Sequence, residues 1–168
     1  MKKKIAFLFA ALIMSVAANA QFEQGKGYLG ASLTSLNMSY RGITKGHFGL
    51  GAKAGYFLDD DWLAVGQLDY QKTKDVPYSL TLGAGLRYYI AQNGLNMGAS
   101  ALFKHAENYN DFMPSIQIGY AFFIGRTVTF EPELFYEHSF KDHSNYSNAG
   151  IRVGVGVYLF KDQYKIKK

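Results

Sequence analysis

The residues able to do chemistry in this chain are charged side chains that keep one phase of an alternating pattern. Lys53, Asp69, Arg87, Lys104, Glu131, Glu133, Glu137 and Arg152 each stand on the polar side of a segment whose intervening residues are apolar. Gln117 keeps the same phase. Carboxylates spaced in this way against guanidinium and ammonium groups serve either acid–base chemistry or mutual neutralisation away from water. Acid–base catalysis needs a partner nucleophile or a metal at a defined spacing, and the sequence supplies neither. It has no cysteine, and His47, His105, His138 and His143 fall near the ends of different segments without ligand spacing. Neutralisation is therefore the expectation. Glu131 or Glu133 should face Arg152, with Arg87 or Lys104 meeting the remaining acids. A narrow polar path for ions or small solutes is the rival use of the same side chains.

Such a set needs an element that sends alternate residues to opposite faces. Over 78–90, Tyr78, Leu80, Leu82, Ala84, Leu86, Tyr88 and Ile90 form one face, and Ser79, Thr81, Gly83, Gly85, Arg87 and Tyr89 the other. That is the two-residue period of a β-strand. The pattern predicts strands over 26–40, 47–58, 62–72, 78–90, 95–105, 112–124, 128–140 and 148–160. The fold class is all-β, an eight-stranded antiparallel up-and-down transmembrane β-barrel, apolar toward lipid and polar within. A lipocalin-like soluble barrel inverts that arrangement. Tyr56, Trp62, Tyr78, Tyr88, Phe112, Phe122 and Phe140 lie near strand ends on the apolar phase, where rings suit a lipid–water boundary.

The segments 59–61, 91–94 and 125–127 read as tight turns, with Asn93-Gly94 a hairpin signal. The connections over 41–46, 71–77, 106–111 and 141–147 are longer and more polar. Bacterial barrels keep short turns on the periplasmic side and longer loops outside, so both termini should lie with the short turns. The first strand changes hydrophobic phase after Leu33, which predicts a β-bulge near Thr34 or Ser35. Pro114 and Pro132 each remove a ladder donor, so their strands need local irregularities.

Lys2, Lys3 and Lys4, an apolar run over 5–14, and Ala18-Asn19-Ala20 have the form of a secretory signal peptide over 1–20. The apolar run is shorter than the about 20 residues that a spanning helix needs. The barrel then occupies 21–160 and a basic tail 161–168. Removing the three leader lysines lowers the formal charge from +5 to +2, so charge makes no case for nucleic acid. Without cysteine there is no lipid-anchored thiol, disulfide framework or thiol nucleophile.

By strand count, loop asymmetry, polar interior and the last strand, which runs from Gly150-Ile151-Arg152 to Tyr158-Leu159-Phe160, the chain resembles the small OmpA/OmpX-like outer-membrane β-barrels. The resemblance implies a bacterial outer-membrane location, contact with outer-membrane lipid and lipopolysaccharide, and handling by envelope chaperones and barrel-insertion machinery. It implies a monomer without cofactor, metal or nucleic acid, acting as a scaffold or surface protein without catalysis. A narrow porin-like channel is the first alternative. The second comes from Asn145-Tyr146-Ser147-Asn148, which is similar to the His-x-Ser-Asn motif of outer-membrane lipid A deacylases. Ser147 takes the nucleophile's place in that comparison. Asn145 stands where the base belongs, His138 and His143 are out of phase, and no acid follows before Asp162.

Overall fold

Alternating polarity resolves into ten β-strands in a computed structural model that describes residues 22–39, 42–43, 47–73, 78–107 and 109–159. They are β1 (Gly27–Ser39), β2 (Gly42–Ile43), β3 (His47–Asp59), β4 (Trp62–Thr73), β5 (Ser79–Tyr89), β6 (Leu95–Ala106), β7 (Tyr109–Tyr120), β8 (Phe122–Phe123), β9 (Val128–Glu137) and β10 (Asn148–Leu159). The signal peptide expected over 1–20, the tail over 161–168 and parts of the loops over 41–46 and 71–77 lie outside the described residues.

Apart from the two-residue β2 and β8, the strands run ten to thirteen residues, enough to cross a hydrocarbon core when tilted. Each pairs antiparallel with the next in the order β1-β3-β4-β5-β6-β7-β9-β10. β10 then pairs back onto β1, with Gly27 opposite Leu159 and Ser39 opposite Asn148. The sheet is thus a closed eight-stranded antiparallel barrel. Closure matters because an open edge in lipid strands its N–H and C=O groups without water. Among the described residues no helix is long and apolar enough to cross a membrane.

Burial follows the two-residue period. On β7, Met113, Ser115 and Gln117 are buried while Phe112, Ile116 and Ile118 are more than half exposed. Exposed Leu29, Leu50, Leu82, Leu86, Leu134 and Val155 continue that apolar surface around the wall. A surface of this kind, with charges inside, is built to face lipid.

Irregularities sit at specific residues. The β1–β10 register slips between Thr34 and Leu36, a one-residue bulge at Ser35. The 91–94 turn is not a two-residue hairpin: Ile90–Gln92 form a 3-10 turn, Asn93 keeps φ −96°, and Gln92 and Gly94 take φ of 57° and 89°. The loop expected over 106–111 is likewise absent as such, since β6 runs to Ala106 and β7 starts at Tyr109, with Glu107 at φ 43° making the bend. Polar Asn110 and Asp111 belong to the strand. The connection over 141–147 contains one helical turn, α1 (His143–Tyr146).

Candidate functional site: a charged plug above an aromatic seal

The end of the lumen carrying the tight turns is filled by rings. Phe22, which precedes β1, is fully buried. Its ring stacks on Tyr89 at 4.0 Å and lies 5.5 Å from Tyr158, 5.8 Å from Phe123 and 6.1 Å from Phe57. Tyr28, Leu63, Val65 and Ala121 complete the cluster. The main chain of Phe22 is held as firmly as its ring. Asp61 N–H donates to Phe22 O at 2.8 Å, and Phe22 N–H donates to Gln92 Oε1 at 3.1 Å. Gln92 Nε2 donates to Asp61 Oδ1 at 2.5 Å. Asp61 and Gln92 both have left-handed backbones, φ 66° and 57°, so strained positions are retained where they seat Phe22. Burial, with Asp60 alongside, raises the Asp61 carboxyl above its ordinary value.

The charged layer lies above this seal. Glu131 accepts from Tyr28 Oη at 2.7 Å, Thr129 Oγ1 at 2.7 Å, Tyr158 Oη at 3.1 Å and Arg87 Nη1 at 3.2 Å. Glu133 accepts from Lys53 Nζ at 2.8 Å, Arg152 Nη1 at 2.8 Å and Arg87 Nη2 at 3.1 Å. Arg152 also reaches Glu137 at 3.4 Å and lies over the Phe135 ring. With its amide oriented by the same network, Gln117 donates to Glu133 at 3.3 Å and accepts from Arg87 Nε at 3.2 Å. Arg152 stands directly opposite Glu133 on the neighbouring strand. Lys53 on β3 and Arg87 on β5 are each separated from β9 by two other strands, so their bonds span the lumen.

Glycine makes this approach possible at two positions. A Cβ on Gly156 would collide with Glu131 Oε1, and one on Gly51 with Asp69 Oδ1. An internal void between Tyr28, Ser32, Lys53, Glu131, Glu133 and Arg152 measures about 10 Å³, at the lower limit for one water molecule. Asp69 accepts from Gln67 Nε2 at 3.2 Å. Lys104 does not join the acids of β9. Its ammonium reaches Gln71 Oε1 at 3.4 Å, because it sits nearer the loop end of the barrel, opposite Asp111. Arg87 alone of that pair meets Glu131 and Glu133.

At the loop end, the Asp111 carboxylate accepts from Tyr109 Oη and Ser139 Oγ, both at 2.6 Å, and from the backbone N–H groups of Lys141 and Phe112. Tyr109 stacks on Tyr146 of α1 at 3.6 Å. Ser147, expected to lack a base, has His143 Nδ1 at 2.7 Å from its hydroxyl. The sequence motif has no place for this contact because it arises from the spacing of one helical turn, in which Ser147 N–H also bonds His143 O at 3.2 Å. The Ser147 hydroxyl further accepts from Ser139 N–H at 2.8 Å, and the residue is only 4% exposed. Bonded on both sides and buried, it pins a loop. Among the described residues no group of three or more His, Cys, Asp or Glu is placed to hold a metal ion.

A closed barrel with an apolar exterior and ion pairs across its lumen defines a small transmembrane β-barrel. Known structures fall in the same class. Neisserial surface protein A superposes with a TM-score of 0.64 at 16% identity, over 80% of this chain and 97% of its own. The N-terminal β-barrel domain of Pseudomonas aeruginosa OprF gives 0.57 at 17% identity, over 81% and 98%. The outer membrane protein OprG of the same organism gives 0.53 at 10% identity, over 86% and 100%. At these identities the likeness is one of fold. No protein-family model and no curated protein matches the sequence.

Proposed function

We propose that this chain is an integral outer-membrane barrel that acts as a membrane scaffold or surface protein, without catalysis and without an open conducting path. One observation carries the reading: Glu133, inside the lumen, is bonded at once by Lys53, Arg87 and Arg152 from three other strands. Ion pairs that neutralise one another across a lumen this narrow leave no continuous water column. The aromatic cluster around Phe22 closes the end below them. The outer membrane is the location proposed, since the exterior is lipid-facing and the solved barrels of like fold include an outer membrane protein. Its partners are outer-membrane lipid and lipopolysaccharide, with chaperones and insertion machinery during assembly, and it works as a monomer.

The test is single-channel recording of the folded protein in a planar bilayer, with folding verified by heat-modifiable gel mobility. Silence is the expected result. Reproducible discrete openings would overturn the closed-plug reading and assign Arg87, Lys104 and Glu133 to ion selection in a narrow channel.

A further inference from the structure

The lipid-facing wall ends in two tiers on one side of the barrel, at the end opposite the tight turns. The lower tier is aromatic. Phe103 on β6 stands directly opposite Phe112 on β7. Past β9, His138 N–H donates to Pro114 O at 2.9 Å, which brings Phe140 level with Phe112. These three rings are 51%, 58% and 70% exposed.

The upper tier is polar and cationic. His105 faces Asn110 across the β6–β7 pair, with Nδ1 2.6 Å from Asn110 Oδ1. An amide oxygen only accepts, so the proton is on His105 Nδ1. Lys141 Nζ donates to the Asn110 carbonyl. Lys141 is exposed and has no carboxylate partner among the described residues. Asp111 does not neutralise it, since that carboxylate is buried and occupied by Tyr109, Ser139 and two backbone N–H groups. The same bonds fix the loop that carries Lys141, so the ammonium is held in position.

We propose that Asn110 and Lys141 bind the phosphate of an anionic membrane lipid, with His105 holding the Asn110 amide oxygen so that its N–H groups are left for the phosphate, and with the lipid's remaining headgroup and upper acyl chains against Phe103, Phe112 and Phe140. An uncompensated ammonium and an amide N–H donor, the latter oriented by an imidazole, lie together just beyond a row of exposed rings. That order matches a lipid molecule read from its phosphate down to its chains, with rings at the interface and cations at headgroup level. The inference rests on the membrane-barrel reading and deepens its lipid contact. Failure to fold in lipid would sink that reading, whereas folding without headgroup preference would sink only this one.

The test uses the full folded chain in nanodiscs of phosphatidylcholine doped either with monophosphoryl lipid A or with its dephosphorylated counterpart, and native mass spectrometry reads the lipid retained. The phosphorylated lipid should be retained preferentially. Lys141→Ala should reduce that retention roughly five-fold, the factor that about 1 kcal/mol per cation near a headgroup represents. Lys141→Gln serves the same purpose if the alanine variant does not fold. Lys72→Ala, which removes an exposed cation from β4 on another part of the wall, should leave retention unchanged. Equal retention of the two lipids, or equal effects at Lys141 and Lys72, would overturn the site.

Discussion

Pro114 on β7 and Pro132 on β9 stand at opposite ends of the short ladder that joins those two strands. Continuous pairing there runs only from Ser115 opposite Glu137 to Gly119 opposite Glu133, and resumes beyond the gap at Phe122 and Phe123. His138 N–H, just past β9, donates to Pro114 O, and Val128 O accepts from Ile124 N–H, just past β8, so the even-numbered residues of β9 turn their backbone groups toward β7 and β8. Pro132 keeps that two-residue phase, so the bond it cannot donate is one across this join. Replacing Pro132 with valine supplies the donor and should raise stability by about 1 kcal/mol, the worth of one ladder bond. Urea unfolding of the protein in lipid vesicles would measure it; no gain would mean that the proline is not what breaks the ladder.

Glu133→Gln addresses the plug. Lys53, Arg87 and Arg152 would lose the carboxylate they share, and Lys53 would stay buried without its ion pair to that residue. Removing one member of a buried ionic cluster costs about 3 kcal/mol or more. The same vesicle unfolding should show a loss of that order. A urea midpoint unchanged from the parent protein would mean that these ion pairs contribute nothing to holding the lumen closed.

How much of this was legible follows from what alternation encodes. Lipid outside and charge inside impose opposite polarity on neighbouring residues, so strand count, closure and the inward phase of Glu133 and Arg152 can be read from spacing alone. Height along the barrel axis cannot. Tyr28, Tyr89 and Tyr158 share the polar phase with Arg87 and Glu131, and only register gathers them around Phe22, a residue that precedes the first strand. Register also separates Lys104 from the acids that Arg87 reaches. At 106–111, polar residues on both sides of the bend at Glu107 imitate a loop and hide the start of β7.

Phe22→Ala should empty the aromatic seal. The ring is fully buried among Phe57, Tyr89, Phe123 and Tyr158, and truncating a buried phenylalanine costs about 3 kcal/mol. Near-ultraviolet circular dichroism from the clustered tyrosines should weaken in parallel. A variant with unaltered stability and spectrum would show that the segment before β1 does not dock in solution.

Ser147→Ala separates a structural hydroxyl from a nucleophilic one. Loss of the bonds from Ser139 N–H and to His143 should loosen the loop over 141–147 and cost about 1 kcal/mol. Protease cleavage within that loop should speed up. The mass of lipid A from cells overproducing the parent protein should match that from cells making the variant. A mass change present with the parent and lost in the variant would restore the enzyme reading.

The turn under Phe22 should make stability fall as pH rises. Asp61 lies outside the spanning strands, and burial beside Asp60 raises its carboxyl above the ordinary 3.8. A raised acid binds its proton more tightly in the folded protein than in the unfolded chain. Its stabilising contribution is therefore complete at pH below 3.8 and is lost as pH climbs through the raised value. Asparagine retains an oxygen to accept from Gln92 Nε2 and tolerates the left-handed φ of 66° at this position. Asp61→Asn should therefore abolish this part of the pH dependence and leave the protein at least as stable as its parent at neutral pH. Thermal midpoints of the two proteins between about pH 3 and pH 7 would decide it. A parent that becomes more stable across that range relative to the variant would mean that the ionised carboxylate, through its bond from Gln92, is the form that seats Phe22.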